Sequence, residues 1–142
     1  MTAREQSGGG LQLVAKGEVC RVYLSDEAMT EYNELQRRAK RNEQNSVKAW
    51  RQLQNYMMRF CDHGHRKMLE EHFKSEGSFP KGRGTNVQVY AFKPYQWRLY
   101  GTVCSYEGYT SFLGVKVDPS KKRDKADRAI LTAAANALGK YT

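Results

Sequence analysis

Cysteine, proline and histidine are all scarce in this chain, with three of each in 142 residues. Cys20, Cys61 and Cys104 are odd in number and widely separated. That excludes a disulfide framework and reads as reduced thiols in a cytoplasmic protein. His63 and His65 stand two residues apart with no carboxylate or thiolate set around them, so a solvated loop outweighs a metal site. Neither a metal nor another cofactor is expected. Long apolar runs are missing as well: none approaches the roughly 18 residues that span a bilayer, and no secretory signal pattern opens the sequence. No membrane is therefore expected among its partners.

Negative charge is the other shortage. Fifteen acidic residues face 24 lysines and arginines, leaving a formal charge of +9. A surface this basic is drawn to polyanions, nucleic acid first, with an acidic protein partner as the alternative. The apolar content of 39% and aromatic content of 11% are those of a folded chain, and the length suits one domain. Residues 1–10, MTAREQSGGG, lack periodicity and read as a flexible tail, with the domain spanning 11–142.

Along the chain, Leu11 to Ala15 and Glu18 to Leu24 are strand-like runs that Lys16-Gly17 can join as a hairpin. Ala28, Tyr32, Leu35 and Ala39 form one stripe of a helix over about 26–41, with Arg37, Arg38, Lys40 and Arg41 on its other face. Ser46 is placed to cap a second helix carrying Ala49, Trp50, Leu53, Met57 and Phe60. Met68, Leu69, His72 and Phe73 suggest one more short helix, with His72 a structural residue rather than a general base. Glu76 to Thr85, EGSFPKGRGT, reads as a linker; its GRG lacks the strand before and the Lys-Ser/Thr after that a phosphate-binding loop needs.

Residues 86–141 carry the clearest pattern. Strands are expected at Asn86 to Phe92, Trp97 to Tyr106 and Thr110 to Val117, split by Lys93-Pro94-Tyr95-Gln96 and by Glu107-Gly108. Such short connections favour an antiparallel meander. In the second strand Trp97, Leu99, Gly101 and Val103 share one face; Arg98, Tyr100, Thr102 and Cys104 share the other. A basic loop, Ser120-Lys121-Lys122-Arg123, leads to a final helix with Asp124 as N-cap and Asp127 in its first turn. Its apolar positions run from Ala126 to Leu138, and Gly139 marks its end. The fold class is thus α+β: a single domain with an N-terminal strand and helical hairpin packed on an antiparallel sheet, then a C-terminal helix.

Val89-Tyr90-Ala91-Phe92, Trp97-Arg98-Leu99-Tyr100-Gly101, Phe112-Leu113-Gly114 and Lys121-Lys122, in this order of elements, resemble the RelE/ParE toxin superfamily. The likeness is greatest to its HigB-like, phage-derived host-toxicity branch, and it spans residues from about 18 to 141. The resemblance implies a toxin of a toxin–antitoxin module that cleaves mRNA on the ribosome, restrained by a cognate acidic antitoxin. A ribose 2′-OH attacks the adjacent phosphorus without a metal, so the site needs a base, an acid and cations for the developing charge. Arg98, Lys121 and Lys122 are the implied catalytic residues. Lys81, Arg83, Lys93, Tyr100, Arg123 and Lys125 are the implied RNA contacts.

The early-helix tyrosine used by some members has no counterpart at Lys125–Ala129. Two other readings stay open beside the nuclease: a ParE-like topoisomerase inhibitor that cuts nothing, and a non-catalytic RNA- or protein-binding phage accessory protein. Most of the tyrosines are expected to be half-buried in the sheet, and Trp50 and Trp97 to anchor the core.

Overall fold

A computed structural model describes residues 10–82, 84–121 and 127–142, and gives the fold as α+β. The elements in chain order are β1 (Gln12–Lys16), β2 (Cys20–Leu24), α1 (Asp26–Lys40), α2 (Gln44–His63), β3 (Phe73–Gly82), β4 (Thr85–Phe92), β5 (Arg98–Tyr106), β6 (Tyr109–Asp118) and α3 (Arg128–Leu138). One sheet takes all six strands in the order β1-β2-β6-β5-β4-β3. The last three strands form the expected meander, and β3 extends it to four, each antiparallel to the next. The sheet is nonetheless mixed, because β2 lies parallel to β6, with Val22 opposite Phe112. The helical hairpin between β2 and the meander makes that pairing possible, since parallel neighbours need a long crossover.

Strand alternation sends the two faces into separate cores. Val22, Leu24, Phe92, Leu99 and Phe112 face α1 and α2. Their neighbours Tyr23, Ala91, Tyr100 and Leu113 face α3. At the centre of the first core, Phe92 and Phe112 meet edge-to-face at 4.8 Å, and Phe60 from α2 closes on Phe92 at 5.6 Å. Burying one such ring is worth roughly 2–3 kcal/mol. Close packing is also enforced by Gly101, which sits opposite Gly114 beside a β-bulge. A Cβ on Gly101 would run into the Leu113 carbonyl.

Helix α1 starts where the Ser25 hydroxyl accepts from the Ala28 N–H at 3.3 Å. Asp26 and Glu27 open it, and Arg37, Arg38 and Lys40 close it, each sign at the matching end of the helix dipole. Helix α2 begins two residues ahead of Ser46, with Glu43 at its N-cap and no side-chain capping bond. Helix α3 is capped by Asp127, whose carboxylate accepts from the Ala129 N–H at 2.9 Å. So Asp127 takes the cap, not the first turn; Asp124 and Ala126 fall outside the described residues.

Two expectations fail around residue 73. The short helix at Met68 to Phe73 is replaced by a 3-10 turn at His65–Lys67 and a single hydrogen-bonded turn, because Phe73 pairs with Phe92 as the first residue of β3. The linker reading of 76–85 also gives way, since most of that stretch is the second half of a ten-residue strand. β3 is an edge strand, where Pro80 is tolerated, and Gly77 at φ 116° accommodates a register shift.

Candidate functional site

The end of the sheet where β4 finishes, β5 begins and β6 finishes gathers the residues of most chemical interest. The β4–β5 turn is tied down from three sides. Its Lys93 N–H donates to the His72 carbonyl at 2.8 Å, and its Tyr95 N–H donates to the Gln52 side chain of α2 at 2.8 Å. Lys48, one turn earlier on α2, stands 4.1 Å over the Tyr95 ring. Gln96 adopts φ 52°, a left-handed conformation that is uncommon without glycine.

Arg98 supplies the third tie. Its Nη1 donates to the Pro94 carbonyl at 2.8 Å and to the Trp97 carbonyl at 3.0 Å. The strand alternation places Arg98 on one face with Tyr100, Thr102 and Cys104. Its side chain is half-buried and its partners are carbonyls of its own turn. Both Nη1 protons are committed there. The other edge of the guanidinium, Nε with Nη2, has no partner among the described residues, so a planar two-donor fork stays open to an oxyanion.

Beside this turn lies a groove between the tip of the helical hairpin and the exit of β6. Two adjoining hollows of about 280 and 240 Å³ share Leu35, Arg38, Ser46, Trp97, Pro119 and Ser120 as walls. Arg38 is held there by Glu34 at 2.8 Å. At the β6 exit, Asp118 stands opposite Arg98 and accepts from the Ser120 N–H at 3.2 Å.

The remaining expected site residues do not converge on one groove. Lys121 follows Ser120 but is only 7% exposed, so it is not an open cation on the groove wall. Tyr100 is 0% exposed beneath α3, which corrects the expectation that it stacks on RNA. Its buried hydroxyl has no hydrogen-bond partner among the described residues, and burial, reinforced by Glu76, pushes the phenol well above the ordinary tyrosine value. Lys93 reaches the Glu70 carbonyl at 3.4 Å. Lys81 sits at the opposite end of the strands, where its ammonium donates to the Thr142 hydroxyl at 3.2 Å. The eight residues of β4 between the two ends span about 23 Å, so Lys81 cannot share a phosphate with Arg98. Arg83, Lys122, Arg123 and Lys125 lie outside the described residues.

Comparison with known proteins returns no matching family model, no matching curated protein and no matching solved structure.

Two rings that sequence reasoning did not assign to the site border the β4–β5 turn. His72, whose carbonyl accepts from the Lys93 N–H, stacks on Tyr56 of α2 at 4.1 Å, and its buried Nδ1 has no hydrogen-bond partner among the described residues. Burial raises the Tyr56 phenol, Glu71 adds to the rise, and Arg59 and Arg98 oppose it. No sequence signal placed His72 here, since the local pattern reads as a helix; its position beside the Lys93 end of the turn follows from β3–β4 pairing. Among the described residues no three His, Cys, Asp or Glu side chains are grouped to hold a metal ion, and no helix is long and apolar enough to cross a membrane.

Proposed function

We propose that this chain is the toxin of a toxin–antitoxin module of the RelE/ParE kind, acting in the cytoplasm as a ribosome-dependent mRNA endonuclease. The observation that carries the reading is the Arg98 fork: a guanidinium fixed through Nη1 to two turn carbonyls, with its Nε–Nη2 edge unpartnered among the described residues. Such a group binds phosphate without first having to be ordered, and it neutralises charge that develops on phosphorus as a 2′-OH attacks. The element order supports the reading as well: a strand, a helical hairpin, an antiparallel meander and a closing helix. A metal-independent mechanism also needs a proton acceptor, and the imidazole considered for it is His72, whose carbonyl is bonded to the Lys93 N–H at the start of that turn. Lys122 is retained as a catalytic cation, and Arg123 and Lys125 as RNA contacts. An acidic antitoxin segment would silence the protein by covering the groove.

A second reading, binding to a topoisomerase without cleavage, is favoured by the burial of Lys121 and Tyr100, which withdraws two of the expected groups from solvent. Inducible expression in bacteria, with primer extension on an abundant mRNA, separates the two. Codon-phased cuts confined to translated message are the expected result. Growth arrest with DNA damage and no cuts would replace the nuclease by the topoisomerase inhibitor. Absence of arrest would leave a non-catalytic binding protein.

A further inference from the structure

The tip of the helical hairpin concentrates positive charge on the side of the groove opposite the β6 exit, with Lys48 reaching the β4–β5 turn over Tyr95. Between residues 34 and 51, six cations (Arg37, Arg38, Lys40, Arg41, Lys48 and Arg51) face two carboxylates. Both carboxylates are already engaged: Glu34 binds Arg37 and Arg38 at 2.6 and 2.8 Å, and Glu43 lies 4.0 Å from Arg38. Lys40, Arg41, Lys48 and Arg51 have no carboxylate partner among the described residues. The turn that presents them is rigid, with the Arg41 and Asn42 N–H groups bonded back into α1 and Asn42 at φ 62°.

Helix stability does not account for this arrangement. The cations closing α1 suit its dipole, but Lys48 and Arg51 occupy the first two turns of α2, the positive end, where the first turn carries no acid. Their repulsion is relieved when an external anion binds. A shallow concavity of about 490 Å³ runs beside them, and Asn42, Gln44 and Gln52 supply amides while Val47 is its one apolar wall.

We propose that this tip is a docking surface for the phosphate backbone of double-stranded RNA. A helix or strand from a protein partner anchors itself by apolar side chains in apolar pockets, and one valine does not provide them. Spaced cations with amide neighbours suit phosphates and ribose hydroxyls. The choice of RNA over DNA rests on the ribosomal reading above; the surface touches the β4–β5 turn only through Lys48 over Tyr95 and holds none of the groups assigned to cleavage.

The test uses the full chain and a labelled 16-base-pair RNA duplex, titrated between 50 and 200 mM salt. Each phosphate contact contributes roughly 0.7–0.9 to the slope of log K against log salt. The variant Lys40→Gln/Arg41→Gln/Arg51→Gln, which spares the Lys48 ammonium over Tyr95, keeps helix propensity and is checked by its melting curve. It should lose about 2–3 units of slope and bind at least tenfold more weakly at 150 mM salt. Lys16→Gln/Lys67→Gln/Lys74→Gln removes the same charge elsewhere and should stay within threefold of the parent. Equal weakening in both variants, or none in the first, overturns the proposal. So does tighter binding of the matching DNA duplex, or of polyglutamate, which would mark the tip as a site for DNA or an acidic protein. Binding is read without cleavage, so a failed nuclease assay leaves this result standing.

Discussion

Replacing Arg98 by alanine should cost stability as well as any phosphate grip. The substitution removes two charge-assisted hydrogen bonds, at 2.8 and 3.0 Å, and leaves the Pro94 and Trp97 carbonyls without those donors. Bonds to charged groups are worth about 1.5–3 kcal/mol each. Here one nitrogen serves both carbonyls, the side chain is only half-buried, and water can reach part of the turn, so the combined loss is about 1–3 kcal/mol. A chain of this length unfolds with an entropy of about 0.3 kcal/mol per kelvin, which converts that loss into a fall in Tm of about 3–10 °C. Thermal melts followed by circular dichroism measure it. Arg98→Lys is the informative companion: it keeps one donor and the charge but lacks the fork, so it should recover most of the stability and none of the bidentate phosphate binding. An alanine variant that melts within 1 °C of the parent would refute the stapling argument, and a fully toxic Arg98→Lys would remove the fork from the mechanism.

Phe60→Ala should destabilise the fold by about 3–5 kcal/mol, the usual range for emptying an aromatic site in a packed core, because its ring contacts Phe73, Phe92 and Phe112. A urea midpoint implying a loss under about 1 kcal/mol would show that this cluster is not the centre of the core. His65, packed edge-on against Tyr90, has its pKa lowered from 6.5, first by burial and then by Arg66. The unfolded chain therefore takes up a proton before the folded one does. The associated stability is complete above pH 6.5 and is lost as pH falls through the folded pKa. His65→Phe should flatten that slope. An NMR titration with a His65 midpoint above 6.5 would contradict the burial argument.

The helical hairpin was legible in the sequence because Tyr32, Leu35, Leu53, Met57 and Phe60 repeat at helical spacing and nothing in the folded chain overrides them. The meander was legible for the corresponding reason, with alternation matching the two cores residue by residue through β4 and β5. β3 was not. Its glycines and Pro80 are turn signals locally, and only the edge position, with Phe73 buried in one core and Phe79 in the other, makes them compatible with a strand. Parallel pairing of β2 with β6 was invisible because no short-range pattern reports which strand will lie beside a distant one. The role of Arg98 escaped for a related reason: a pattern of side chains cannot show that an arginine is spoken for by backbone carbonyls.

That β2–β6 pairing has a consequence for how the chain is made. Cys20 finds its neighbour Thr110 only after ninety further residues have been synthesised. At about 5–20 residues per second, the first hairpin and both long helices wait several seconds for Phe92, Leu99 and Phe112, the strand side chains that complete the core around Phe60. The inner strand β6 is the last strand delivered, with only α3 after it, so the sheet cannot assemble vectorially from the amino end. Folding of this chain should be slow and prone to capture by chaperones while the nascent chain is short of residue 118.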